Sequence, residues 1–375
     1  MRHSTAISAA LVAAAIAAPA SAQHGTPVNR SADALTIAVF GDWPYSVNLR
    51  NTAAPFLVDS INSDPQVRLI VHVGDIHSGS MPCTGAGLNP LPAGSSPHWN
   101  ESIWEIFQQF NDPFVYTPGD NEWSDCHKAK QLSSGAPLNE LAAVRNLFFP
   151  TAGLTLGAHP RQVISQATDF NTAFPDDAQF IENVIWEQSR TVFVTMNVPG
   201  GSNDDATTWT APFTDNTAQL QERAQREAAN LRWLAKAFDM AEAHGAAAVV
   251  VISQADMWDT EAVLTNYTPL VTELANRAID FGKPVLLLNG DSHRFQVGQP
   301  LADHSNATGL IHNTQDVPNL TRIVVQGALT PDGDNPRKWL RLTIDPRAPG
   351  VFSWENVSYC EASPAPGSLL PACPE

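Results

Sequence analysis

Acidic side chains recur in this sequence at the ends of apolar runs, and a histidine closes the series. Asp42 follows the run Leu35–Phe40, and Asp75 follows residues 67–73, with His77 two places on. Asp120, Asn121 and Glu122 follow 113–117. Gln254 follows Ala248–Ile252, and Asp291 and His293 follow 283–288. A single Gly-Asp pair is an ordinary turn, since both residues favour turns. Here four such pairs, at 41–42, 74–75, 119–120 and 290–291, each stand at the end of an apolar run. Carboxylates gathered on one rim repel each other unless a cation lies among them. The expected chemistry is therefore the binding of one or two divalent metal ions.

The elements that must position these residues are legible around them. The five runs are short, rich in β-branched residues and apolar on both faces. They read as interior strands of a sheet covered on both sides. Helical stretches are expected at 52–62, 101–111, 138–148, 219–243 and 269–281. The alternation implies βαβ units and an α/β fold. In such folds the site lies beyond the carboxyl ends of the strands. That geometry would gather Asp42, Asp75, Asp120, Gln254, Asp291 and His293. Residues 151–177 read as irregular, 192–198 as a further strand and 200–216 as a polar loop over the strand ends. Leu220, Ala224, Leu231, Leu234, Ala235 and Phe238 lie at helical spacing and read as a core stripe. Segments 322–326, 339–344 and 351–357 read as a C-terminal antiparallel run completing a second sheet.

Composition sets the outer bounds. The chain has 375 residues, 43% hydrophobic and 16% charged, which excludes a mostly disordered protein. Lys and Arg number 21 against 38 Asp and Glu, a net charge of −17. That balance argues against nucleic acid as a main partner. Met1-Arg2-His3, an Ala-rich apolar stretch and Ala20-Ser21-Ala22 read as a signal peptide over 1–22, cleaved before Gln23. The rival, an anchor helix, is disfavoured because the stretch falls short of the ~20 residues a membrane span requires. The mature chain is then expected to be periplasmic or extracellular and without a membrane anchor. Four cysteines allow three pairings, of which Cys83–Cys126 and Cys360–Cys373 are preferred. A thiol nucleophile or metal ligand at Cys126 is the alternative. One domain is expected over 23–358, with a Pro-rich tail over 359–375 stapled by its cysteines.

The block order Asp, Gly-Asp, Gly-Asp-Asn-Glu, a further ligand and Gly-x-x-His resembles the calcineurin-like metallophosphoesterases, over about residues 35–358. The resemblance implies a four-layer αββα sandwich with two mixed β-sheets and a two-metal site at the C-terminal ends of the strands. Asp42 matches the Asp of the family's Asp-x-His, but Pro44 replaces its His. Asp75 matches the bridging aspartate. Gly119-Asp120-Asn121-Glu122 stands for Gly-Asn-His-Glu, which puts Asp120 at a metal-binding Asn. It also puts Asn121 at the His that stabilises or protonates the leaving group. Gln254 replaces a ligand His, and Gly290-Asp291-Ser292-His293 keeps only the second His of Gly-His-x-His.

Asp42, Asp75 and His293 would then hold one ion, and Asp75, Asp120, Gln254 and Asp291 the other. Such oxygen-rich sets favour Mn, Mg, Ca or Fe over Zn. His77 is a candidate substitute for the missing His at 44. Arg294 is a candidate cation for the phosphoryl oxygens, and Glu122 or His127 for the proton donor. Trp43, Trp123 and Trp258 either wall a pocket or, as slightly preferred, pack beneath the loops. The implied activity is hydrolysis of a small phosphorylated substrate, a monoester or diester, by a water held between the metals. Without the leaving-group His, good leaving groups would be favoured. The alternative is a degenerate member that binds a metal, ligand or partner without turnover.

Overall fold

The apolar runs form strands for the reason their composition suggests: every residue of Leu35–Phe40, Ala248–Ile252 and Val285–Asn289 is buried. The computed structural model describes residues 32–86, 95–204, 208–260, 263–328, 337–361, 367–368 and 370–373. The expected signal peptide, 1–22, lies outside them.

The strands in chain order are β1 Leu35–Phe40, β2 Val67–His72, β3 Phe114–Tyr116, β4 Ile164–Ser165, β5 Val184–Gln188 and β6 Thr191–Thr195. They continue with β7 Ala248–Ile252, β8 Val285–Asn289, β9 Gln296–Gly298, β10 Leu320–Val324, β11 Lys338–Ile344 and β12 Phe352–Ser358. Two mixed sheets result. One has five strands in the order β12-β11-β1-β2-β3, and the other has seven in the order β4-β5-β6-β7-β8-β10-β9. β1, β2 and β3 are mutually parallel, as are β6, β7, β8 and β10. The α/β class and the parallel units therefore stand.

The C-terminal segments are a correction. β11 and β12 are antiparallel, but they extend the first sheet through β1. β10 belongs to the second sheet and runs parallel to β8. An apolar run shows that a strand is buried without saying which neighbour it pairs with. β4, β5 and β9 were not foreseen; β4 and β9 have only two and three residues.

Alternation along β1 divides the core. Ala38 and Phe40 face a cluster with Leu57, Ile61, Ile103, Phe107, Val144 and Phe148, all from helices. Ile37 and Val39 face the other way and join Leu69, Val71, Val250, Ile252, Leu286 and Leu288, drawn from both sheets. A third cluster sets Val249, Val251 and Leu287 against helical Trp233, Phe238, Leu270 and Leu274.

The helices are Ala54–Asn62, Trp99–Phe107, Pro137–Phe148, Asn216–Ala243 and Thr268–Phe281. Proline sits in the first turn of three of them, where its missing N–H costs nothing. The Asp215 carboxylate caps the long helix by accepting from the Ala218 N–H at 3.0 Å. The expected stripe holds only in the second half of that helix, at Leu231, Leu234 and Phe238. Leu220 is 59% exposed, while Trp233, Leu234, Ala237, Phe238 and Ala241 are buried. Its first half instead buries polar Gln219, Glu222, Arg226 and Asn230. The helix contributes an apolar face only where it crosses the sheet. The expected loop 200–216 begins with a tight turn in which Gly201 to Asn203 take left-handed backbone angles. No helix among the described residues is long and apolar enough to cross a membrane.

Candidate metal centre

The loops after β1, β2, β3, β7 and β8 meet at one rim, so both sheets contribute. Backbone hydrogen bonds lace the loops together. Asp42 N donates to Gly74 O at 2.9 Å, Trp43 N to Asp75 O at 3.0 Å and Gly290 N to Gln254 O at 3.0 Å. The repeated glycines have a steric cause. A Cβ on Gly119 would lie 2.0 Å from Asp75 Oδ1, and one on Gly290 would lie 2.3 Å from Asp42 Oδ2. The glycine of one turn thus makes room for the carboxylate of another. Asp42, Asp75, Asp291 and His293 all have positive φ, between 48° and 73°. Asp and His tolerate this left-handed region better than most residues, and such strain concentrates at functional sites.

Asp42, Asp75 and His293 each turn a ligand atom inward, and these atoms lie within 4.8 Å of one another. His293 Nε2 is 3.3 Å from Asp42 Oδ1. The sequence reading missed Tyr45. Its hydroxyl lies 3.3 Å from Asp42 Oδ1, 3.2 Å from Asp75 Oδ2 and 3.1 Å from His293 Nε2. Tyr45 is buried, its O–H donates toward the two carboxylates, and burial followed by the Asp75 charge holds it well above the usual phenol range. The only signal in the sequence was its place three residues after Asp42. The donor set of two carboxylates, one imidazole and one phenol oxygen fits a hard cation.

Electrostatics agrees with that fit. Burial pushes the Asp75 carboxyl well above the usual carboxylate range, and Asp120, Glu122 and Asp42 push the same way. Burial raises Asp291 too, with Asp120 adding to it. Asp120 is pushed up to about 6, chiefly by burial and then by Asp125. At His293 burial works downward, but the Asp42 carboxylate outweighs it and the net shift is upward. Without a cation, neutral pH leaves these carboxylates in a site that disfavours their charge.

The second expected ligand set is arranged differently. Gln254 Nε2 donates to Asp75 Oδ2 at 3.2 Å and to Asp120 Oδ1 at 3.0 Å. Its oxygen accepts from the Gly200 N–H. The atom facing the carboxylates is thus a donor, not a ligand. Asp291 Oδ2 accepts from the Asp256 N–H at 2.9 Å.

The other candidates fall around this centre. Asn121 Nδ2 donates to Asp75 Oδ2 at 2.9 Å and to His77 O at 3.0 Å, so it orients the aspartate. Glu122 is 1% exposed and accepts from Tyr116 Oη at 2.6 Å and from Gly119 N at 3.1 Å. It also accepts from the Ile76 N–H at 3.3 Å, which ties the β2 and β3 loops together beneath the rim. His77 places Nδ1 3.1 Å from Ser78 O, and its ring is not among the three clustered ligands. Burial lowers His127 to about 4, with Lys128 acting in the same direction. Its Nδ1 accepts from Thr210 N at 3.1 Å. Arg294 is exposed and lines a cleft of about 650 Å³ with Asp256, Trp258, Ser292 and Arg322. Trp43, Trp123 and Trp258 are buried, at 1%, 0% and 7% exposure; Trp258 also lines that cleft. Cys83–Cys126 and Cys360–Cys373 are the two disulfides, and the first joins the β2 and β3 loops. Their presence is consistent with an exported protein.

No family model and no curated protein matches the sequence. Among solved structures the chain is similar to one described as "GAP50 the anchor in the inner membrane complex of Plasmodium". The TM-score is 0.41 at 10% identity, over 87% of this chain and 89% of that one. A likeness of that strength supports no reading of function.

Proposed function

We propose that this chain is an exported metal-dependent phosphoesterase whose ion is held by Asp42, Asp75 and His293, with Tyr45 as a further donor. The carrying observation is the convergence of the three ligand atoms within 4.8 Å at the meeting of two sheets. The layered contacts support a four-layer αββα sandwich as the finer description of the fold. Asp42, Asp75 and His293 would hold the ion, whose chemistry there would be Lewis-acid polarisation of a phosphoryl oxygen and of water. The chain's own residues do the rest. Asn121 holds Asp75 in orientation. Asp42 Oδ1 and Tyr45 Oη lie 3.3 Å and 3.1 Å from His293 Nε2, the ring nitrogen that would face the ion. The substrate is a small phosphomonoester or phosphodiester with a good leaving group, because Asn121 and Glu122 are both engaged inside the protein.

Asp75→Ala tests the reading. We expect loss of Mn²⁺ binding and of p-nitrophenyl phosphate hydrolysis, with an unchanged far-ultraviolet circular dichroism spectrum. Hydrolysis that survived the substitution would sink it. A second reading, a binding protein without turnover, is favoured by one observation: the leaving-group position is filled by an asparagine already spent on Asp75 and His77. Metal binding without hydrolysis of any phosphoester would select it.

A further inference from the structure

We propose that the centre holds one ion rather than two, and that the Gln254 side-chain amide stands in the place of the second; this rests on the metal-centre reading above. A second ion would require Asp75, Asp120, Gln254 and Asp291 to turn oxygens toward one point. Gln254 instead turns its nitrogen between Asp75 Oδ2, at 3.2 Å, and Asp120 Oδ1, at 3.0 Å. An amide nitrogen carries hydrogens and offers a metal no lone pair. The opposite orientation would set the amide hydrogens against the Gly200 N–H and the oxygen against two carboxylates, so the hydrogen-bond network fixes it.

The side chain is also wedged in place. A Cβ on Gly74 would lie 2.7 Å from Gln254 Cβ, and one on Gly119 would lie 2.8 Å from its Cγ. Gln254 itself is 0% exposed. Two of the carboxylates have further protein partners. Asp291 accepts from Asp256 N at 2.9 Å, and Asp75 accepts from Asn121 Nδ2 at 2.9 Å. Fixed cations lie beyond Asp120, where Lys130 Nζ is 2.8 Å from Asp125 and Lys128 pairs with the same carboxylate. Burial and the Asp125 charge raise the Asp120 carboxyl, and both lysines act against them to lower it. At the first position the Tyr45 hydroxyl also donates toward Asp42 and Asp75, but its oxygen, unlike an amide nitrogen, keeps a lone pair for a metal.

The test loads the chain from Gln23 with Mn²⁺ and counts equivalents by dialysis and elemental mass spectrometry, with electron paramagnetic resonance alongside. We expect one equivalent with the spectrum of an isolated ion. We also expect Asp120→Asn to keep that equivalent, and Gln254→His to gain a second. Two equivalents in the unsubstituted chain, or an exchange-coupled spectrum, overturn the inference and leave the metal-centre reading intact. Loss of the ion in Asp120→Asn also overturns it. No equivalent at all sinks the metal-centre reading instead.

Discussion

At the scale of residues, the centre is a group of buried carboxylates, each held by at least one donor. Asn121 illustrates how much of the site is support. Its amide reaches Asp75 at 2.9 Å, and its backbone N–H reaches the same carboxylate at 3.2 Å. Supporting groups of this kind are worth about 10–100-fold in metal affinity. We expect Asn121→Ala to weaken Mn²⁺ binding by about that factor in calorimetry, and an unchanged affinity would remove Asn121 from the support. The carboxylates also set a pH dependence. Asp120 titrates at about 6 in the folded chain against 3.8 for the free side chain. The folded state therefore holds its proton more tightly than the unfolded state through that window, and stability falls as pH rises. Metal-free protein should accordingly have a higher melting temperature near pH 4.5 than near pH 7.5. The difference should shrink in Asp120→Asn, and an equal difference in that variant would contradict the assignment.

At the scale of elements, the rim depends on loops that have little secondary structure of their own. The Cys83–Cys126 disulfide spans 43 residues and joins two of them. Chain entropy alone assigns a closed loop of that length about 4 kcal/mol. Replacing both cysteines by serine should lower unfolding stability by up to that amount in denaturant titrations. It should also weaken metal binding, because Asn121 lies in the same loop. A loss of similar size is expected from Phe107→Ala. Phe107 is fully buried and stacks on Phe114 at 4.2 Å, and such truncations cost about 3–5 kcal/mol. The elements also show where sequence pattern is and is not sufficient. The runs Leu35–Phe40 and Ala248–Ile252 are legible to the residue because continuous apolar character has one outlet, a strand buried on both faces. The stripe on Asn216–Ala243 is not, because only its second half meets the sheet. Leu220 is at the right spacing but lies beyond the sheet's reach.

At the scale of the whole molecule, two sheets from distant parts of the chain deliver their strand ends to one point. Asp42 and Asp75 come from the first sheet, and Gln254 and His293 follow β7 and β8 of the second. The α/β class and the convergence of Asp42, Asp75 and His293 were legible because each sits at the end of a buried parallel strand, where such folds expose their loops. The pairing of β10, β11 and β12 was not, since it is set by contacts far apart in the chain. Tyr45 and the orientation of the Gln254 amide were not legible either. The first has no spacing signature, and the second is decided by the Gly200 N–H, in a turn that reads only as polar loop. The most direct measurement is the metal content of the chain from Gln23, made in an oxidising compartment, beside its Asp75→Ala variant. We expect about one equivalent of Mn, Mg, Ca or Fe in the first and none in the second. An absence of bound metal after incubation with all four ions, or equal metal in both proteins, would contradict a metal centre at Asp42, Asp75 and His293.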